Sequence, residues 1–172
     1  GAIGRTTAPL LRSLGVTLIG VNSDGRPIEG CPKMHTLDSV TPHLGEIDHL
    51  VVLLPGTPHT KKIIDRDFLS KLKPGATVVN VSRGSVLDAE ALVALIDAGH
   101  LRGAVLDVTD PEPLPEDSPL WDHPRVLITS HMSWQPTSDN QVAFDVFCHN
   151  LRCYREDRPE QMINLVDPRR GY

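Results

Sequence analysis

The sequence predicts an α/β fold, a doubly wound parallel sheet with helices on its faces. Two observations carry this reading. Short, nearly continuous apolar runs recur at 16–21 (VTLIGV), 50–54 (LVVLL), 77–81 (TVVNV), 104–108 (AVLDV) and 126–129 (VLIT). Such runs are too short for helices and too uniformly apolar for half-exposed strands, so they read as strands covered on both faces. Between them lie segments with helical spacing, and this alternation is the signature of a parallel sheet wound with helices.

Residues 4–14 carry Leu10, Leu11 and Leu14 on one helical face, with Gly15 as a stop. Pro9 lies inside that helix, where a missing N–H and a steric clash cost about 3 kcal/mol unless the helix kinks. After the 16–21 run, residues 22–32 hold Asp24-Gly25, Pro27, Gly30 and Pro32, which is loop chemistry. A short helix is expected at 37–44. The 50–54 strand is stopped by Pro55-Gly56, and a helix at 65–72 ends before Pro74-Gly75. After the 77–81 strand, Asp88 is placed to cap a helix that turns Leu92, Leu95 and Ile96 inward and ends at Gly99. The proline- and acid-rich stretch 109–124 predicts loop, and a last helix is expected over 136–155, followed by a polar tail.

The 172 residues suit one ordinary domain. A formal net charge of −5 gives no attraction for nucleic acid or an anionic membrane, so neither is expected as a partner. No apolar run approaches the ~18 residues of a membrane span, and the sequence shows no basic-then-apolar stretch at its start, so secretion is not expected. Cys31, Cys148 and Cys153 form no disulfide framework, and the five-residue spacing of the last two puts them on different helix faces. A reducing, cytoplasmic setting is expected. No metal-ligand spacing stands out, and no metal is expected.

The opening Gly1-Ala2-Ile3-Gly4 matches the second half of G-x-G-x-x-G. Gly1 would let backbone approach a pyrophosphate, and Gly4 would let the helix pack close to a strand. The anion would rest on the helix N-terminus. An acidic residue that binds ribose hydroxyls is expected about 20 residues on. The strand there runs instead into Asn22, Ser23, Asp24, Gly25 and Arg26. A neutral Asn22 would not repel a 2′-phosphate, and Arg26 offers it a cation, so NADP is favoured over NAD. The alternative keeps Asp24 as the acidic residue. The first strand and first glycine of the motif are not in the sequence, so the working protein is expected to carry more chain before Gly1, and the remaining strands are expected to show exposed edges.

Arg83, Glu112 and His131 follow three of the predicted strands, at the sheet edge where ligands bind in such folds. A guanidinium holds a carboxylate through two parallel hydrogen bonds. Reduction of a neighbouring carbonyl builds charge on its oxygen, which an imidazolium can protonate and a neutral imidazole can deprotonate in reverse. A carboxylate beside the histidine favours the charged ring and fixes its orientation. Each residue alone has an ordinary reading, as surface ion-pair member, solvated loop or structural histidine. Their order and context together point to a site.

In that context the chain resembles the D-isomer-specific 2-hydroxyacid dehydrogenases. Residues 79–84 (VNVSRG) followed by Asp88, residues 103–108 (GAVLDV) leading to Glu112-Pro113-Leu114-Pro115, Pro119-Leu120-Trp121 before Ser130-His131, and residues 54–60 (LPGTPHT) are similar to the family's arginine, glutamate, histidine and cofactor-loop signatures. The resemblance implies that Arg83 binds substrate carboxylate, Glu112 supports His131, and His131 is the acid/base of hydride transfer between NAD(P) and a small 2-keto or 2-hydroxy acid. It implies that Asp107 faces the nicotinamide carboxamide and that Ala2, Ile3, Pro55, Thr60 and Val81 lie along the cofactor. It further implies a homodimer, a Rossmann-like dinucleotide domain over 1–155, and a tail over 156–172 that returns to a substrate domain absent from this sequence. Two departures stand out. Gly56 replaces a bulkier apolar residue, which predicts a looser loop, and Met132-Ser133-Trp134 replaces glycines, with Trp134 a candidate wall of the substrate pocket. A cofactor-binding scaffold of the same fold, or an inactive piece of the enzyme, are the alternative readings.

Overall fold

The computed structural model describes residues 1–133 and 141–169. The chain forms two compact units, Gly1–His131 and Met132–Tyr172. In the first, helix α1 (Ala2–Ser13) leads to strand β1 (Gly20–Val21), which pairs in parallel with β2 (Met34–His35). A short helix α2 (Leu37–Val40) and a 3-10 turn (Thr41–Glu46) lead to β3 (His49–Val52), then α3 (Arg66–Ser70), β4 (Thr77–Asn80), α4 (Ala89–Asp97), β5 (Gly103–Leu106) and β6 (Val126–Ile128). The last four strands form one parallel sheet in the order β3-β4-β5-β6. Because the sheet is parallel, the segments leaving all four strands emerge at one edge.

The helices begin where side chains satisfy their open N–H groups. Thr36 and Ser39 form a capping box on α2. Asp65 accepts from Phe68 N–H on α3 (2.9 Å), and Asp88 from Ala91 N–H on α4 (3.1 Å). Gly99, at φ +75°, ends α4 in the left-handed conformation that a side chain resists. The core lies where α3 and α4 cover the sheet: Leu69, Val78, Leu92, Ile96 and Leu101 are fully buried, and Val52, Ile64, Leu72, Val86 and Leu106 complete the cluster.

Pro9 neither breaks nor ends α1. Residue 30, at φ +77°, lies so close that a Cβ there would come within 2.6 Å of the Pro9 nitrogen, so Gly30 is required for this approach. Two elements differ from expectation. The 16–21 run is strand only at Gly20–Val21, and Val16 and Val21 are 44% and 41% exposed. Strand needs a hydrogen-bonding neighbour, and the partner of β1, Met34–His35, reaches only two residues. That partner strand is itself too short to give a periodic signal. Among the described residues β3 pairs on one side, with β4, Val51 is 43% exposed, and β1 and β2 form a separate two-stranded sheet.

In the second unit, α5 (Gln141–Arg155) is followed by a 3-10 turn (Pro159–Gln161). The His149 ring bonds to Gln161 C=O, and Asn150 pairs with both backbone groups of Ile163, so the tail packs on the helix. The expected beginning of this helix at 136–140 and the candidate Trp134 lie outside the described residues. All three cysteines are free. Among the described residues, no helix is long and apolar enough to cross a membrane.

Candidate active site

The loop after β4 is built by Asn80, which is fully buried at the strand's end. Its carbonyl oxygen accepts from Ser82 N–H (3.1 Å) and Ser82 O–H (2.8 Å), and its amide donates to Arg83 C=O (3.1 Å). One buried amide thereby fixes the backbone on both sides of Arg83. The Arg83 guanidinium, carried to the exposed edge, donates to Ser82 C=O (2.7 Å). Sequence reasoning passed over Asn80. The signal was a polar residue inside an apolar strand, which folds only with its hydrogen bonds satisfied.

The loop after β5 packs directly on the loop after β4. A Cβ at Gly84 would come within 2.0 Å of the Thr109 carbonyl carbon and oxygen, so only glycine permits this approach. Asp107, buried, accepts a short hydrogen bond from the Thr129 hydroxyl (2.5 Å). Thr129 was not singled out in the sequence, because its partner lies 22 residues away. Glu112 and His131 are brought together, with Nδ1 of the histidine 2.6 Å from Oε1 of the glutamate. Both remain partly open to solvent, at 41% and 34% side-chain exposure. His131 sits at φ +52°, a left-handed conformation that costs a residue with a Cβ about 1–3 kcal/mol.

The loop after β3 is tied by Thr60. Its hydroxyl donates to Pro55 C=O (2.6 Å) and accepts from Thr57 N–H (2.9 Å). Thr57 and Thr60 together close the turn that contains Gly56. Val81 immediately follows β4, at the same edge.

At the other end of the chain, Gly1 precedes α1 without a side-chain cap, and the first turn holds no acidic residue. The N–H groups of Ala2, Ile3 and Gly4 have no intrahelical acceptor and carry the positive end of the helix dipole. These residues fit a dinucleotide phosphate. Among the described residues, a Cβ at Gly4 would meet only Leu53 Cδ1, at 3.9 Å. Asn22 organises the loop after β1: its amide oxygen accepts from Gly25 N–H (2.6 Å) and its NH2 donates to Arg26 C=O (2.9 Å). Ser23 is exposed, and Arg26 is 84% exposed with its Nε 3.5 Å from an Asp24 oxygen. Such an exposed pair is worth at most about 1 kcal/mol, so the arginine is available to a stronger anion.

A parallel sheet whose edge gathers a guanidinium, a carboxylate–imidazole pair and a buried carboxylate, with an uncapped glycine-led helix, defines the class of nicotinamide-dinucleotide domains. Residues 1–133 match the family described as D-isomer specific 2-hydroxyacid dehydrogenase, NAD binding domain, and the chain belongs to that family. Along its whole length it is 34% identical to a glyoxylate/hydroxypyruvate reductase A of Photorhabdus laumondii, of which it covers 54%. It superposes with a TM-score of 0.91 on a D-isomer specific 2-hydroxyacid dehydrogenase from Xanthobacter autotrophicus Py2 in complex with NADPH and MES, at 35% identity, covering all of this chain and 69% of that one. An NADPH-dependent glyoxylate/hydroxypyruvate reductase from Sinorhizobium meliloti, in complex with NADP and sulfate, gives a TM-score of 0.90 at 31% identity, with 100% and 54% covered. The chain spans about half the length of the curated relatives it matches.

Proposed function

We propose that the whole protein is an oxidoreductase that reduces small 2-keto acids such as glyoxylate or hydroxypyruvate to 2-hydroxy acids, with NADPH preferred over NADH. The 2.6 Å pairing of Glu112 with His131 at the strand edge carries this reading. When bound, the nicotinamide cofactor supplies the hydride. Arg83 binds the substrate carboxylate and so aims the keto carbon. His131, its Nδ1 engaged by Glu112, presents Nε2 to the carbonyl oxygen, delivers the proton there during reduction, and withdraws it in the reverse direction. Glu112 stabilises the imidazolium and holds the ring. The left-handed backbone at His131 supports the same view, since such conformations persist where surrounding structure enforces them.

Asp107, oriented by Thr129, is assigned to the nicotinamide carboxamide. Pro55, Thr60 and Val81 line the cofactor, and Gly1, Ala2, Ile3 and Gly4 hold its pyrophosphate. Asn22 and Ser23 face the ribose, with Arg26 taking a 2′-phosphate. Residues 1–155 serve the dinucleotide and 156–172 belong to a substrate domain. The doubly wound order sets a strand between elements placed like β1 and β3, which would join the two sheets. The working form is a cytoplasmic homodimer.

The test follows absorbance as full-length protein oxidises NADPH or NADH with a panel of 2-keto acids. Turnover, faster with NADPH and lost in His131→Ala, is expected. Cofactor binding without turnover on any keto acid would replace this reading with that of a scaffold.

A further inference from the structure

We infer that Gly56 is a positioning residue for Arg83, selecting the side-chain rotamer that presents the guanidinium. This rests on the reading of Arg83 as the carboxylate-binding group. A Cβ built on Gly56 would lie 2.9 Å from Arg83 Cγ and 3.2 Å from Arg83 Cβ, with Ser85 Oγ next at 3.7 Å. Residue 56 has no positive φ, so its backbone accepts alanine. The cost of a side chain there falls on Arg83. The Arg83 Cβ is fixed by a backbone that Asn80 and Ser82 hold from both sides. Thr60 holds the backbone of the facing loop. The contact to Arg83 Cβ asks the facing loops to yield by a few tenths of an ångström, and with both backbones tied the closer Cγ contact is relieved by turning χ1 of Arg83. Rotation about χ1 moves from one staggered well to another and swings the guanidinium at the far end through several ångströms. The guanidinium then leaves Ser82 C=O, its present acceptor. The glycine is thus matched to this arginine rotamer.

The experiment is a double-mutant cycle in the full-length enzyme with Gly56→Ala and Arg83→Ala. It reads KM for the keto acid at saturating NADPH, kcat, cofactor Kd and melting temperature. Gly56→Ala is expected to raise KM by about three- to tenfold, the scale of displacing a side chain from its preferred rotamer. Cofactor Kd should change less than KM. In the Arg83→Ala background the same substitution should add nothing, because the group it displaces is gone. An unchanged KM in Gly56→Ala, or an equal rise in both backgrounds, would overturn the assignment of Gly56 while leaving Arg83 as the carboxylate group. An Arg83→Ala enzyme with normal KM and kcat would overturn both readings. A Gly56→Ala protein that melts early and has lost NADPH binding would make the glycine a folding residue and overturn its positioning role.

Discussion

His131 and Glu112 are 19 residues apart in the chain and 2.6 Å apart in the structure, joined through Nδ1 and Oε1. This contact leaves Nε2 as the ring atom for chemistry. Because a hydrogen bond to a carboxylate is about twice as strong as a neutral one, the pair fixes the ring's orientation. Replacing Glu112 by Gln keeps a hydrogen bond but removes the charge. Glu112→Gln is expected to lower kcat about tenfold, equivalent to ~1.4 kcal/mol of transition-state stabilisation. His131→Ala should lower kcat by about 10²- to 10⁴-fold. Steady-state kinetics of the full-length enzyme checks both, and equal activity of Glu112→Gln and wild type would dissolve the proposed pair.

Arg83→Ala is expected to raise KM and lower kcat together, by about ten- to a hundredfold in kcat/KM, since a hydrogen bond to a charged group contributes ~1.5–3 kcal/mol. Arg83→Lys should recover little, because a point charge lacks the planar fork. Full activity in the lysine enzyme would show that charge alone suffices.

Arg26→Ala should weaken NADPH binding and leave NADH binding nearly unchanged. Its existing partner Asp24 is an exposed carboxylate at 3.5 Å, a weak competitor for a phosphate dianion. Fluorescence titration with both cofactors measures the ratio, and parallel losses for the two would exclude a 2′-phosphate contact.

Gly84→Ala drives a Cβ into the Thr109 carbonyl, and backbone on both sides must yield. Overpacking of this kind costs about 1–3 kcal/mol or more. Thermal unfolding should fall by roughly 5 °C, at ~2–4 °C per kcal/mol for a chain of this size. A variant that melts with wild type would mean that the two loops separate at little cost.

Asp88 supplies a pH-dependent term. The Ala91 N–H it accepts, and then the Lys62 ammonium, hold its carboxyl below the usual carboxylate range against the opposing effect of burial. A carboxylate depressed in the folded state stabilises the fold above its unfolded value near ~3.9, and that stabilisation disappears as pH falls through the folded value. Asp88→Ala should therefore cost about 1 kcal/mol at neutral pH, and the gap between variant and wild type should narrow below about pH 4. Denaturant titrations at pH 7 and pH 3.5 test the sign. A gap that widens on acidification would reverse it.

Much of this fold was legible because its signals are local. Asp88 and Gly99 mark the ends of α4 by the chemistry of their own backbones, and the 77–81 run declares a buried strand whatever surrounds it. The 16–21 run was equally apolar but is mostly not strand, because a strand depends on a neighbour that the run itself does not encode. Arg83, Glu112 and His131 stood out through chemical type and order. Asn80 was passed over because its asparagine looked like an interruption rather than a hub. Thr129 and Gly84 were illegible for a further reason, and Gly56 stood out only as a departure from the family pattern. Their meaning lies in what approaches them from 22, 25 and 27 residues away, and neither pattern nor propensity reports an approach.

The Gly84–Thr109 contact also governs how this site can be remodelled. The loop that bears the guanidinium and the loop that bears Glu112 touch without an intervening side chain, so neither has slack to absorb a change in the other. An engineer exchanging loops with a relative should move segments 80–86 and 107–113 together as a single cassette. Chimeras that cross over between these two segments should be poorer than those that keep the pair from one parent, even when both parents carry the same catalytic residues.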